Sequence, residues 1–259
     1  MSPSLVVIDW DMSPSIETHE NRAGAWEIKF LLKPAVADQI RGWARAHLMP
    51  DPNARGAHDD SYRITSLYFD TEQLDVFHRR GSYGRGKYRI RRYGQSDLAF
   101  LERKLRTRRQ LTKRRSIAGL GDLERLAEAE APPDWAGYWF HRRLLLRRLG
   151  PVCQVSYERT ARVAMTQYGP LRLTLDKDLR ARPAAGIWFR APGGKPICGD
   201  QLILELKFRC AMPTLFKCLV EEFALNSQPL SKYRLAATAL NLANAALPTP
   251  AETYAHEYA

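Results

Sequence analysis

The sequence predicts an α+β fold, with strands and helices packed as one unit, and three observations carry that prediction. The first is period-two alternation. Trp26-Glu27-Ile28-Lys29-Phe30, Lys87-Tyr88-Arg89-Ile90-Arg91, Phe100-Leu101-Glu102-Arg103-Lys104-Leu105, Leu171-Arg172-Leu173-Thr174-Leu175-Asp176 and Leu204-Glu205-Leu206-Lys207-Phe208 each carry an apolar and a charged side. Successive side chains of a strand point to opposite faces, so each segment predicts a strand with one charged face. The second is a set of segments with helical spacing before, between and after these strands. The third is the lack of any internal repeat, combined with 259 residues of which 45% are hydrophobic, enough for one large domain or two small ones.

Taken along the chain, residues 1–25 are polar and irregular and predict a loose, flexible N-terminal arm. After the first strand, Lys33-Pro34 opens a helix to about Leu48, with proline where a first helical turn tolerates it. Pro50 to Asp60 is a loop by composition. Strands dominate from Tyr62 to about Ile117, interrupted by Gly81-Ser82-Tyr83-Gly84-Arg85-Gly86, which reads as a glycine-rich hairpin turn. Helical spacing returns over Asp122–Glu130 and Trp135–Leu149, ended by Gly150-Pro151. Strands resume from Val152 to about Asp176, a Gly/Pro-bearing loop covers Arg182 to Gly199, and Leu202–Phe208 is the last strand. Pro213 to about Leu225 and Ser231 to about Ala246 close the chain as helices. The organisation expected is an arm over 1–25, one domain over 26–246 and a tail over 247–259.

A formal charge of +12 and a pI near 9.7 point to an anionic partner: nucleic acid, polyphosphate, nucleotide or an acidic membrane surface. Cys153, Cys198, Cys210 and Cys218 form no CxxC, so neither a zinc site nor a disulfide framework is expected, and a reducing cytoplasm is the simplest setting. No signal-peptide pattern opens the chain and no apolar run approaches bilayer length. Peripheral attachment to a membrane through a partner protein is the alternative to a freely cytoplasmic chain.

Between Arg79 and Arg115 stand fifteen Lys or Arg residues against two acids, Asp97 and Glu102. A solvated strand face normally mixes both signs, so this segment reads as an anion site. Nucleic acid is disfavoured as the partner: the charges alternate with buried-type residues, and no DNA-reading helix or RNA-binding signature is present. Gly81 to Lys87 matches the GxxxxGK spacing of a phosphate loop, but Tyr88 replaces the magnesium-holding hydroxyl and a strand follows where a helix is required. His19, His47, His58, His78, His141 and His256 show no metal or catalytic spacing, and each reads as a surface or loop residue. Glu27/Lys29, Glu102/Lys104 and Glu205/Lys207 repeat one pattern. Any one pair alone would read as a surface ion pair worth about 0.2–1 kcal/mol. Three of them in a basic chain favour a shared concave site, where cations bind phosphates and a carboxylate holds a divalent ion.

An ordered set of motifs adds to this reading. Glu27-Ile28-Lys29-Phe30, Ser66-Leu67-Tyr68-Phe69-Asp70-Thr71, Lys87 to Gly94, Phe100 to Lys104, Lys113-Arg114-Arg115, Tyr157-Glu158-Arg159, Arg172 to Asp176, Leu204 to Phe208 and Ser231-Lys232-Tyr233 occur in the order found in the VTC domain. From about Trp26 to Ala246 the chain resembles the catalytic domain of the vacuolar transporter chaperone polyphosphate polymerase and its bacterial relatives, within the CYTH-like triphosphate tunnel metalloenzyme superfamily.

The resemblance implies an antiparallel tunnel of eight strands with a charged interior, flanked by helices. It implies a phosphate- and nucleotide-binding set of Lys29, Arg89, Arg91, Lys104, Lys113, Arg115, Arg159, Arg172 and Lys232, with Lys207 beside them and Tyr157 and Ser231 as hydrogen-bonding groups. Catalysis would rest on Lys29, Arg89, Arg91, Lys104, Arg159, Arg172, Glu205 and Lys232. Glu205 would hold Mn2+ or Mg2+, helped by Glu27 or Glu102. The implied reaction moves the γ-phosphate of ATP to a growing inorganic polyphosphate chain. One departure stands out: Ala25 occupies the position of the first Glu in the superfamily's ExExK pattern. The rival readings are a tunnel-type inorganic or nucleoside triphosphatase using the same residues, and a non-catalytic polyphosphate binder. The oligomeric state is open at this stage.

Overall fold

Each alternating segment named above is a strand in the computed structural model, which describes residues 17–22, 25–54, 60–106, 111–184 and 186–245. The strands are β1 (Glu17–Arg22), β2 (Ala25–Leu32), β3 (Met49–Pro50), β4 (Ser61–Asp70), β5 (Gly86–Tyr93), β6 (Leu98–Arg106), β7 (Leu111–Gly119), β8 (Gly150–Thr166), β9 (Gly169–Pro183), β10 (Lys195–Pro196) and β11 (Leu202–Arg209). The helices are α1 (Pro34–His47), α2 (Asp75–His78), α3 (Tyr138–Leu146), α4 (Thr214–Glu222), α5 (Lys232–Ala239) and α6 (Leu242–Ala245). All strands pair antiparallel in one sheet of order β1-β7-β6-β5-β4-β8-β9-β11-β2, with β3 on β8 and β10 on β9. The β8–β9 hairpin turns at Gly169, whose φ of +105° only glycine adopts readily, and the Thr166 hydroxyl donates to the Gly169 carbonyl at 2.7 Å.

The apolar side of each strand explains where the helices lie. Phe30, Leu171, Leu173, Leu204 and Leu206 are buried together with Ala37 and Ile40 of α1 and Phe216 and Leu219 of α4. On β4, β5 and β6, Leu67, Phe69, Tyr88, Ile90 and Leu101 pack with Trp139, Phe140 and Leu144 of α3, and the Phe69 and Phe140 rings meet edge to face at 5.7 Å. Each such side chain contributes about 1.5–3 kcal/mol by leaving water. That burial fixes the register, and the register turns the charged residues of the alternation, Arg103 excepted, onto the opposite, concave side.

The sheet differs from the expected closed tunnel of eight strands. Nine long strands and two of two residues form it, and among the described residues no backbone pairing joins β1 to β2. The two edge strands are nevertheless separated by residues 23–24 alone, so Arg22 and Ala25 lie within about 11 Å of each other. The Lys104 ammonium of β6 also reaches Glu27 of β2 at 3.5 Å, so side chains span the gap between the two halves of the curl. The ninth strand is β1, which lies in the stretch that composition predicts as a loose arm. It forms through backbone hydrogen bonds to β7 between Glu17↔Ser116 and Arg22↔Leu111, and polar residues at a sheet edge leave little trace in hydropathy. Residues 1–16 of that arm and the expected tail over 247–259 lie outside the described residues.

Other departures are local. Gly81–Arg85 is a 3-10 turn closing a connection that also contains α2, rather than a simple hairpin turn, and β5 follows it directly. Residues 121–127 are 3-10 rather than α-helical. His141 is not a surface residue: it is fully buried on α3, where its Nε2–H donates to the Glu128 carbonyl at 3.0 Å. His47 and His78 are exposed, whereas His58 and His256 lie outside the described residues, as does the side chain of His19. The four cysteines are free thiols. Among the described residues no helix is long and apolar enough to cross a membrane.

Candidate functional site

Strand register assembles the site row by row. Lys87, Lys104 and Lys113 stand abreast on β5, β6 and β7, and the next row is Arg89, Glu102 and Arg115. On the other side of the curl, Thr174, Glu205 and Lys29 are abreast on β9, β11 and β2, followed by Arg172, Lys207 and Glu27. Between these halves β8 supplies Tyr157 and Arg159, with Arg159 opposite Asp176 of β9. The N-terminus of α5 adds Ser231 and Lys232.

Two carboxylate knots organise the charges. Glu102, 1% exposed, accepts from Arg89 Nε at 2.6 Å and Arg115 Nε at 3.1 Å and pairs with Lys113 Nζ at 3.4 Å. The second knot is a chain of three carboxylates. Lys232 Nζ lies 2.6 Å from both Asp176 and Glu205, and Arg159 makes a bidentate pair with Asp176 at 2.6 and 2.8 Å. Lys29 then links Glu205 at 3.7 Å to Glu27 at 2.9 Å, while Lys207 links the same two at 3.8 and 3.6 Å.

Three cations are held differently. Arg91 donates to the Ser66 hydroxyl at 3.2 Å and the Tyr157 hydroxyl at 3.1 Å, and it has no carboxylate partner among the described residues. Arg172 donates to the Tyr62 hydroxyl at 3.0 Å and pairs with Asp51 at 2.7 Å. Lys87 donates to the Ser231 hydroxyl at 2.9 Å. Thr174 Oγ1 and Arg172 Nε are buried on the concave face without a hydrogen-bond partner. Such buried polar atoms are costly unless a water or a ligand satisfies them.

The titration shifts record the crowding. Burial works against the charge on Glu205, yet Lys232, Lys29, Lys207 and Arg159 hold its carboxyl well below the usual range. Glu102 and Glu27 are lowered in the same way, against burial, by Arg89, Lys113 and Arg115 in one case and by Lys104 and Lys207 in the other. Lys232 is raised because Asp176 and Glu205 outweigh its burial. Lys207 goes the other way: burial, reinforced by Lys104, brings it down to about 7 despite Glu27. Lys87 is shifted the same way by partial loss of water and by the neighbouring Lys29 and Lys104, although its side chain remains exposed at the rim. Lys87 and Lys207 are therefore pushed toward their neutral form by crowded positive charge, a repulsion that a bound polyanion would relieve.

The family described as the VTC domain matches residues 25–241. The chain belongs to the VTC domain family. Comparison with curated proteins finds no match. Among solved structures, a candidate adenylate cyclase from Bacillus halodurans superposes with a TM-score of 0.51 at 13% identity, covering 82% of this chain and 95% of that one. A candidate adenylyl cyclase from Hippeastrum, described as having a dominant triphosphatase activity, gives 0.42 at 15% identity, over 88% of this chain and 99% of that one. A Pyrococcus horikoshii protein gives 0.44 at 12%, over 82% and 97%. The superposition on the Bacillus halodurans protein shows a shared fold for the curled sheet.

In this VTC domain every site residue predicted from the sequence lies on the concave face or at its rim, but the acids divide. Glu27 and Glu205 share Lys29 and Lys207, whereas Glu102 sits in its own knot on β6. Among the described residues no three His, Cys, Asp or Glu side chains converge as a ready-made metal cage. A two-carboxylate set fits a hard divalent ion that takes its remaining ligands from water and substrate phosphates, as magnesium sites commonly do. Sequence reading assigned no role to Asp176, Lys87, Ser66, Tyr62 or Asp51. Asp176 and Lys87 fall on the charged side of the alternation and were legible there. Ser66, Tyr62 and Asp51 are joined to their arginines only by the fold.

Proposed function

We propose that this VTC domain is a metal-dependent polyphosphate polymerase that transfers the γ-phosphate of ATP to the end of an inorganic polyphosphate chain. The supporting observation is the excess of fixed cations over carboxylates on one concave face: Lys29, Lys87, Arg89, Arg91, Lys104, Lys113, Arg115, Arg159, Arg172, Lys207 and Lys232 against Glu27, Glu102, Asp176 and Glu205. Such a surface suits a chain of phosphates better than a single one.

Phosphoryl transfer asks the protein mainly for alignment and for neutralisation of spread negative charge. Arg89, Arg91, Arg115 and Arg159 present guanidinium forks that match phosphate oxygens, while Lys29, Lys104 and Lys232 act as point charges. A terminal phosphate oxyanion of the polymer attacks the γ-phosphorus; the new P–O bond forms as the bond to the β-phosphate oxygen breaks, and ADP leaves with those electrons. No protein nucleophile is needed. Glu205, with Glu27, would hold Mn2+ or Mg2+, which when bound neutralises charge between adjacent phosphates.

Incubating the purified protein with ATP and Mn2+ or Mg2+ and resolving the products on a gel tests the reading. Polymer is expected. Release of free phosphate without polymer would make the protein a tunnel triphosphatase, and binding without turnover a polyphosphate-binding protein. Glu205→Gln should lower turnover by about 100-fold or more, the scale of losing a group that stabilises developing charge. An unchanged rate would remove Glu205 from the metal site.

A further inference from the structure

The tunnel's cations do not end at its rim. Lys87 stands at the end of the β5 charged row, abreast of Lys104, and feels the positive charge of Lys29 and Lys104 from the site and of Arg79 and Arg234 from the α2–α5 junction. Its bond to Ser231 places its ammonium at the start of α5, and Arg234 lies on the first turn of that helix. Arg79 ends α2, which packs against α5. None of Arg79, Lys87 and Arg234 makes an ion pair among the described residues. The next residue, Arg80, is instead occupied by Asp75 at 3.2 Å.

Arg79 is also held deliberately. Its φ of +59° is left-handed, a conformation that disfavours side chains with a Cβ. The turn is clamped from the far side, where a Cβ added to Gly84 would come within 2.7 Å of the Arg79 carbonyl oxygen. Yet the Arg79 side chain is exposed, so no packing need explains an arginine in a strained, clamped turn.

We infer that Arg79, Lys87 and Arg234 form a rim subsite for a linear polyphosphate longer than the tunnel, carrying the chain between the interior row and solvent across the α2–α5 junction. This deepens the polymerase reading and rests on it. A short anion such as tripolyphosphate fills the interior without reaching Arg79 or Arg234; a long chain meets both.

The test measures binding of tripolyphosphate and of a long-chain polyphosphate to the wild-type protein, to Arg79→Ala/Arg234→Ala and to the charge-keeping Arg79→Lys/Arg234→Lys. The alanine pair should weaken long-chain binding about ten-fold, flatten its salt dependence and leave tripolyphosphate affinity unchanged. The lysine pair should restore the long-chain affinity. Equal weakening of both ligands, or no change in either, overturns the rim subsite. Arg89→Ala separates the two levels: if it fails to weaken tripolyphosphate, the tunnel reading itself falls, whatever the rim variants do.

Discussion

Glu102 is the residue on which the β5–β7 side of the site depends. It is almost wholly buried and balances Arg89, Lys113 and Arg115 at once. Removing one partner from a buried ionic cluster is commonly strongly destabilising, about 3–5 kcal/mol, because the remaining charges stay buried without compensation. Glu102→Gln should therefore lower the denaturant midpoint of the free protein by a stability loss of about 3 kcal/mol. The same change should make tripolyphosphate raise the melting temperature more than it does in the wild type, since Arg89, Lys113 and Arg115 each lose one carboxylate that the anion can replace. If the ligand-induced rise is smaller than in the wild type, Glu102 has a direct role toward the ligand.

Lys87 and Lys207 give the residue scale a pH dependence. Lys207, mostly buried, has a folded-state value near 7, well below the ordinary lysine value of 10.5, and the exposed Lys87 is lowered in the same direction with a smaller effect because solvent screens it. Between those limits the unfolded chain binds more protons than the folded one, so stability contributed by these groups rises with pH from about 7 upward and is lowest below 7. Thermal melts of the free protein from pH 6 to pH 9 should show a rising melting temperature, and Lys207→Met should flatten the rise. Lys207 was legible from alternation alone. The partners that set its value were less so, because Lys104 and Glu27 are brought beside it by the curl of the sheet, which no local pattern encodes.

At the scale of elements, the position of α5 is set by a carboxylate outside the tunnel. Asp70, at the end of β4, accepts backbone N–H bonds from Thr71 at 2.7 Å, Val76 at 2.8 Å and Phe77 at 2.9 Å, capping α2, and accepts the Tyr233 hydroxyl at 2.5 Å. The Tyr233 ring stacks on Tyr68 at 5.5 Å. Tyr233 immediately follows Lys232, so this bond holds the helix that delivers Lys232 between Asp176 and Glu205. Tyr233→Phe should cost about 1–3 kcal/mol in chemical denaturation by leaving Asp70 short of one donor, and should weaken tripolyphosphate binding. Loss of stability with unchanged binding would show that α5 is held in place by packing alone. The Tyr68-Phe69-Asp70-Thr71 motif was visible in the sequence, but its work was not, because three of the four hydrogen-bond donors to Asp70 lie beyond the motif. The reverse holds for β1: its pairing with β7 is clear in the structure and silent in a polar sequence.

For the whole molecule, the α+β class follows from period two and from the leucine rows that must be covered by helices, whereas antiparallel pairing and the inward charged face were expectations of the family resemblance. The strand number and the incomplete closure follow from neither, since both depend on edge hydrogen bonds rather than on hydropathy. A ligand that binds only the folded state at 100 times its dissociation constant adds about 2.7 kcal/mol. Tripolyphosphate at that excess should raise the melting temperature by several degrees, and sodium chloride of equal ionic strength by far less. Equal effects of the two would mean that general screening, rather than a site, relieves the interior.

The carboxylates already seated among the cations have a further consequence. Glu102, Asp176, Glu205 and Glu27 occupy positions that phosphate oxygens would otherwise claim, so the interior behaves like an ion-exchange resin loaded with its own counterions. An incoming anion is bound only to the extent that it outcompetes them, which favours high charge density and disfavours chloride or a lone carboxylate. Selectivity for phosphate chains then comes from internal competition as much as from direct contact, and every carboxylate removed should loosen that discrimination.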